Sequence, residues 1–219
     1  MKERSLLTEE RTRELETLKS AVARRQLGTA LSLFIDDCDP VSVHSLACSG
    51  GEIADALAKR AGKTAFAEHA LRCNLQLTLK QLAEIKNKHW NAFKHFDLRE
   101  GKPRDDLELM NGFADDQNDH VLFIGWHDLM RATDAMPIEA QVFQAWYFSM
   151  YPEKLASDFP IENLNRFFPS LKTMSRKAQK GKLKRVIQIT RDTNRVVMAD
   201  AMTERRPLIV RSPQSITLP

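Results

Sequence analysis

Apolar residues recur at helical spacing from Thr8 to about Ile35, with Leu15, Leu18, Val22, Leu31 and Phe34 on one stripe. Glu9, Glu10, Glu14 and Glu16 cluster near its start, where the helix dipole favours negative charge. Asp39-Pro40 is a second helix start: Asp as N-cap, and Pro at the first helical position, where its missing N–H costs nothing. The helix it opens carries Val41, Val43, Leu46 and Ala47, meets Gly50-Gly51, and resumes through Ile53, Ala54, Leu57 and Ala58 to a stop at Gly62. The glycine pair either breaks this helix or lets a neighbour approach, and the pattern is compatible with both.

The clearest helical period runs from Leu75 to Leu98. Leu75, Leu79, Leu82, Ile85, Trp90, Ala92, Phe93 and Phe96 share one arc. Lys80, Glu84, Asn87, Lys88, Asn91, Lys94 and His95 share the other, with Lys86 intruding on the apolar side, where its stem can snorkel. Gly101-Lys102-Pro103 ends the run. An acidic stretch, Asp105 to Asp119, precedes a helix whose apolar residues Val121, Leu122, Ile124, Trp126, Leu129 and Met130 surround most of its axis, as expected of a central helix. Pro137 opens another through Val142, Phe143, Trp146 and Phe148 to Pro152, and Pro160 and Pro169 punctuate short helical pieces. Six or seven helices on short connections predict an all-α antiparallel helical bundle over residues 1–168.

Residues 169–219 read as a basic C-terminal extension. Between Lys172 and Arg211 there are 12 Lys/Arg against 3 Asp/Glu, a local +9, so the remainder carries −5 of the overall +4. The runs Arg185 to Thr190 and Arg195 to Ala199 flank Arg191-Asp192-Thr193-Asn194 and are β-branched, a pattern compatible with a short hairpin as one of two equal readings. The alternative is one basic helix from Ser170 to about Gln188 followed by a frayed tail.

Composition narrows the class. With 42% apolar and 28% charged residues the chain can build a core. The start MKERSLLTEE lacks a signal-peptide apolar region, and the longest apolar run, Val121 to Ile124, is far short of a bilayer span, so no membrane partner is expected. Cys38, Cys48 and Cys73 are odd in number without CxxC spacing, which argues against a disulfide framework and for a reducing, cytoplasmic setting. No phosphate-binding glycine loop or G-x-S-x-G elbow occurs, and no cofactor is expected. Asp116, His120 and His127 fall on one helical stripe with spacing that can ligate a metal. Clustered Asp is also what a helix N-terminus prefers, and with no second ligand set no metal is expected.

Two stretches carry a family likeness. The first comprises Ala23-Arg24-Arg25-Gln26-Leu27, Thr29-Ala30-Leu31, Asp39-Pro40-Val41-Ser42-Val43-His44 and Leu46-Ala47; the second is Asn91-Ala92-Phe93-Lys94-His95 with Asp97 and Arg99. Over roughly residues 21–155 the chain resembles a group of bacterial helical proteins of uncharacterised function, with a DPVS-x-H helix start and an N-x-x-K-H helix signature. It departs from their Asp-Arg-Asp-Pro run after the His, reading Phe96-Asp97-Leu98-Arg99 instead. A looser likeness is to HEPN-type bundles, whose ribonucleases place an Arg and a His on one helix; Lys94 and His95 stand nearest to that arrangement.

The candidate sites follow. Asn91, Lys94 and His95 lie within one helical turn on a polar arc, and with Asp97 and His44 they form a candidate binding face: donors plus a histidine that charges near neutrality. His44, one turn into its helix, is expected to meet that face across a shared groove. A non-catalytic binding or interaction protein is the leading expectation. The rival is a metal-independent ribonuclease with His95 as general acid/base and Lys94 offsetting phosphate charge. Arg176, Lys177, Lys180, Lys182, Lys184 and Arg185 form a candidate nucleic-acid surface, although no aromatic residue follows Phe168 to stack on bases. The partner is thus an unknown protein or nucleic acid, or a second copy joined through acidic body and basic extension.

Overall fold

A computed structural model describes residues 2–73, 76–98, 100–155, 164 and 166–210. Leu75, Arg99 and Pro160 lie outside the described residues, as does the side chain of Cys73. The fold is an all-α bundle of α1 (Lys2–Ile35), α2 (Pro40–Arg60), α3 (Phe66–Cys73), α4 (Leu79–Lys94), α5 (Leu107–Asn111), α6 (Gln117–Thr133), α7 (Ile138–Met150), α8 (Arg176–Thr193) and α9 (Arg195–Ala199). Two-residue strands β1 (Met136–Pro137) and β2 (Thr203–Glu204) pair in parallel. Among the described residues no helix is long and apolar enough to cross a membrane.

Packing of α1, α2 and α6 decides the role of the glycine pair. Asp39 caps α2 by accepting from the backbone N–H of Ser42 at 2.8 Å, and the helix then runs unbroken to Arg60. A Cβ on Gly125 of α6 would sit 2.6 Å from Leu27 Cδ2 and 3.4 Å from Gly51 Cα, and one on Gly50 would sit 2.9 Å from Leu27 Cγ. The glycines therefore let three helices approach more closely than alanines would. Phe34 of α1 meets Phe143 and Trp146 of α7 edge-on at 5.5 and 5.7 Å, extending the core to that helix.

The hairpin compatible with residues 185–199 does not form: Arg185 to Thr190 belong to α8, and Arg195 to Ala199 are α9. Ser175 caps α8, and Leu183, Val186 and Ile187, spaced three and four apart, are buried on one face. Burial of that stripe overrides the strand preference of β-branched residues. Leu171, Leu183, Val186, Ile187 and Leu208 join the same core cluster as α1, α2, α6 and α7, so the basic segment is a built-in wall of the bundle.

After α9 the chain straps back over α1. Buried Arg24 donates through Nε to both carboxylate oxygens of Glu204, through Nη1 to the Leu208 carbonyl at 2.9 Å, and through Nη2 to the Pro207 carbonyl at 3.1 Å. The strap lies so close that a Cβ on Gly28 would meet the Leu208 carbonyl oxygen at 2.3 Å.

α4 also differs from expectation. Thr78 and Gln81 form a reciprocal capping box, so the helix starts at Leu79. Only its second half docks, burying His89 and Ala92, while the first half overhangs the bundle and leaves Leu79 62% and Ile85 58% exposed.

Candidate functional site

The basic segment folds onto its own acidic body. Arg176 Nε donates to Asp115 Oδ2 at 2.6 Å, while its two Nη groups hold Asp119, through Nη1 at 3.0 Å. Lys180, buried despite its charge, places Nζ 2.9 Å from Asp37 and 2.8 Å from Asp115, above the ring of Phe34. Lys184 pairs with Asp36, and Arg191 with buried Glu139. Asp119 also accepts from the Tyr151 hydroxyl at 2.9 Å. Burial pushes the Asp119 carboxyl up to about 6, while Arg176 pulls it back down, so it is ionised at neutral pH. Of the six candidate nucleic-acid residues, Arg176, Lys180 and Lys184 are thus spent on internal ion pairs. Lys177 and Arg185 are exposed and Lys182 half-exposed on the outer face of α8.

His44 faces inward. Its Nδ1–H donates to Asn118 Oδ1 at 3.0 Å, an assignment supported by Asn118 Nδ2 donating to the Pro40 carbonyl. Its Nε2 is buried without a partner among the described residues. The ring lies edge-on to His89, Phe93 and Phe113 at 5.8, 5.7 and 5.2 Å. Burial lowers His44 to about 4 and also lowers His89, whose ring is bonded to the Leu109 backbone. Both histidines are therefore neutral packing groups at the α2–α4–α5–α6 junction. His44 does meet the helix that carries Asn91, Lys94 and His95, but through His89 and Phe93.

The proposed polar face is shallow and divided. Asn91 is half-buried and Lys94 is exposed, its Nζ 3.7 Å from the Trp90 ring centroid. His95 is the exposed C-cap of α4, and Asp97 is exposed where it bridges to Pro103. Among the described residues clefts open elsewhere, such as one of about 420 Å³ between Arg24, Arg60, Thr133 and Glu204, one beside Leu15 and Ile53, and one beside Lys184 and Arg191.

Asp116, His120 and His127 do not converge. His120 Nδ1 is 3.0 Å from the Tyr147 hydroxyl, His127 Nδ1 is 3.0 Å from Asp128 Oδ1, and Asp116 is exposed. No cluster able to hold a metal occurs among the described residues. Asp128 instead accepts from the Phe66 backbone N–H at 2.7 Å, capping α3 from a neighbouring helix.

What the residue pattern missed is an apolar arm. Leu79, Ile85, Phe96, Leu98, Leu107 and Met110, all within one stretch of chain spanning α4 to α5, are large, apolar and exposed. Phe96 is 82% exposed beside His95. An amphipathic arc marks a helix that buries one face, without saying whether its own bundle or another molecule covers it.

The chain matches no family model, no curated protein and no solved structure.

Proposed function

We propose that this chain is a non-catalytic interaction protein of the cytoplasm whose contact surface is the arm formed by α4, the loop after it and α5. The observation that carries this reading is the exposure of Leu79, Ile85 and Phe96, three large apolar side chains along and just beyond a well-formed helix. Single exposed apolar residues need no explanation, but several in one segment mark surfaces that bind. Asn91, Lys94 and His95 then serve as the polar edge of that surface, a rim of the kind that surrounds apolar contact patches. The free thiols Cys38 and Cys48 suit a reducing compartment.

Photocrosslinking tests the reading. Benzoylphenylalanine is placed at position 79, 85 or 96, with position 185 on the outer face of α8 as control, and cells expressing each variant are irradiated. The reading predicts adducts heavier than the single chain from the three arm positions and none from position 185. Absence of adducts from all three arm positions overturns it.

A further inference from the structure

We infer that the occupant of the arm is a second copy of this chain, joined to the first through a two-fold interface. The inference rests on the interaction reading and adds the identity of the partner. Charge on the arm is split between its two helices. α4 carries Lys80, Lys86, Lys88 and Lys94 against Glu84 alone, while residues 105–119 carry Asp105, Asp106, Glu108, Asp115, Asp116 and Asp119 with no Lys or Arg.

Some of these charges are already used. Asp106 pairs with Arg104 at 2.6 Å, and Asp115 and Asp119 hold α8. Lys80 reaches Glu84 only at 3.9 Å, and Lys94 stacks on Trp90. Exposed Lys88, Asp105 and Glu108 form no ion pair among the described residues.

A two-fold axis brings the same patch of two copies face to face, so each element of one copy contacts a different element of the other twice. Two copies related in this way set basic α4 of each against the acidic α5 segment of the other, with Leu79, Ile85, Leu107 and Met110 between them. Six large apolar side chains exposed by roughly half or more supply area on the order of the apolar centre of a standard interface, which covers ~800 Å² per partner. A foreign partner with a uniformly charged surface would match only one half of this arm. The split pattern matches itself.

The test uses two charge-reversed variants of the full chain, with mass read by light scattering during size-exclusion chromatography and folding checked by circular dichroism. Lys80→Glu/Lys88→Glu takes α4 from +3 to −1, and Asp105→Lys/Glu108→Lys takes residues 105–111 from −3 to +1; all four positions are exposed, so the fold is retained. Wild type is expected at twice 25.0 kDa, and each variant alone at the single-chain mass. An equimolar mixture is expected to regain the two-chain mass, because the net acidic α4 of one variant then meets the net basic α5 segment of the other, and the basic α4 the acidic segment. Wild type at the single-chain mass at tens of micromolar overturns the second copy, as does a mixture that stays single-chain. A crosslink from position 85 to a different protein, with wild type at single-chain mass, overturns the second copy and leaves the interaction reading standing; no adduct from any arm position overturns both.

Discussion

Replacing Arg176 by methionine would leave the carboxylate of Asp119, fully buried in α6, with one donor in place of three. The wild-type carboxylate accepts from both Nη groups of Arg176 and from the Tyr151 hydroxyl. Methionine keeps much of the packing that the arginine makes over Phe34 and Trp146 at 5.1 and 5.4 Å. Asp115 also loses Arg176 but retains Lys180 at 2.8 Å, so the damage centres on Asp119. Removing one partner of a buried pair costs about 3–5 kcal/mol, because the charge left behind is neither solvated nor paired. With a urea slope of about 1–3 kcal/mol per molar, the unfolding midpoint falls by roughly 1–3 M.

The loss depends on pH with a definite sign. Asp119 already stands at about 6 against an ordinary 3.8, so the native state binds its proton more tightly than the unfolded chain. Stability from this group is therefore present in acid and declines as pH rises between those two values. Without Arg176 the carboxyl rises further and the declining window extends above 6. The gap between wild type and variant then widens from pH 6 to pH 8, by at most about 1.4 kcal/mol per pH unit. Arg176→Met/Asp119→Leu removes the orphaned charge and is expected to recover most of the loss. Urea titrations at pH 6, 7 and 8 check all three outcomes. A loss below about 1 kcal/mol, or a double variant no more stable than the single, would refute the argument that α8 is held by a buried charge network.

Three further outcomes follow from the same packing. His44 is lowered from 6.5 to about 4, so the unfolded chain takes protons first; its share of stability, about 3 kcal/mol, is present above pH 6.5 and lost as pH falls to 4. The difference between wild type and His44→Gln in urea titrations from pH 7 to 4 isolates this term from the opposite trend of Asp119, and parallel curves would contradict it. Gly28→Ala is expected to destabilise by about 1–3 kcal/mol despite a gain of about 1 kcal/mol in helix propensity, because its Cβ would meet the Leu208 carbonyl oxygen at 2.3 Å. Trypsin cleavage after Arg205 should accelerate as the strap lifts; a variant that is more stable and equally resistant would sink the idea. Asp128→Ala removes the cap on α3 and should cost about 0.5–2 kcal/mol by thermal denaturation, with amide exchange accelerating at Phe66; unchanged exchange there would argue against the cap.

The helices were legible where one local rule decided them. Asp39-Pro40 announces α2 because cap and proline act within a few residues, and helically spaced apolar residues between Leu15 and Phe34 announce α1. Long-range facts were not legible. Arg185 to Thr190 stood open between strand and helix because β-branched residues favour a strand, and burial of Val186 and Ile187 against the bundle decides for the helix. The +9 of the C-terminal segment left nucleic acid and the acidic body both open as its partner, because charge tallies omit pairing; Arg176, Lys180 and Lys184 find Asp115, Asp119, Asp37 and Asp36 across the fold. The arc of α4 was visible, yet that the bundle covers His89 and Ala92 and leaves Leu79 and Ile85 exposed depends on packing far away in sequence. His89 gave no advance sign of burial, since its role depends on Phe93, Phe113 and His44 converging on it.

The dependence of the urea midpoint on protein concentration tests the central claim, that the arm is the seat of a second copy. Unfolding of a two-chain assembly is linked to dissociation, so stability rises by about 1.4 kcal/mol per mole of dimer for each tenfold increase in concentration. Wild type measured from 1 to about 100 times the lowest workable concentration is predicted to show that rise. Ile85→Glu, which alters a 58% exposed side chain, is predicted to hold one midpoint throughout, equal to that of dilute wild type. A wild-type midpoint that stays constant over the same range would contradict the claim.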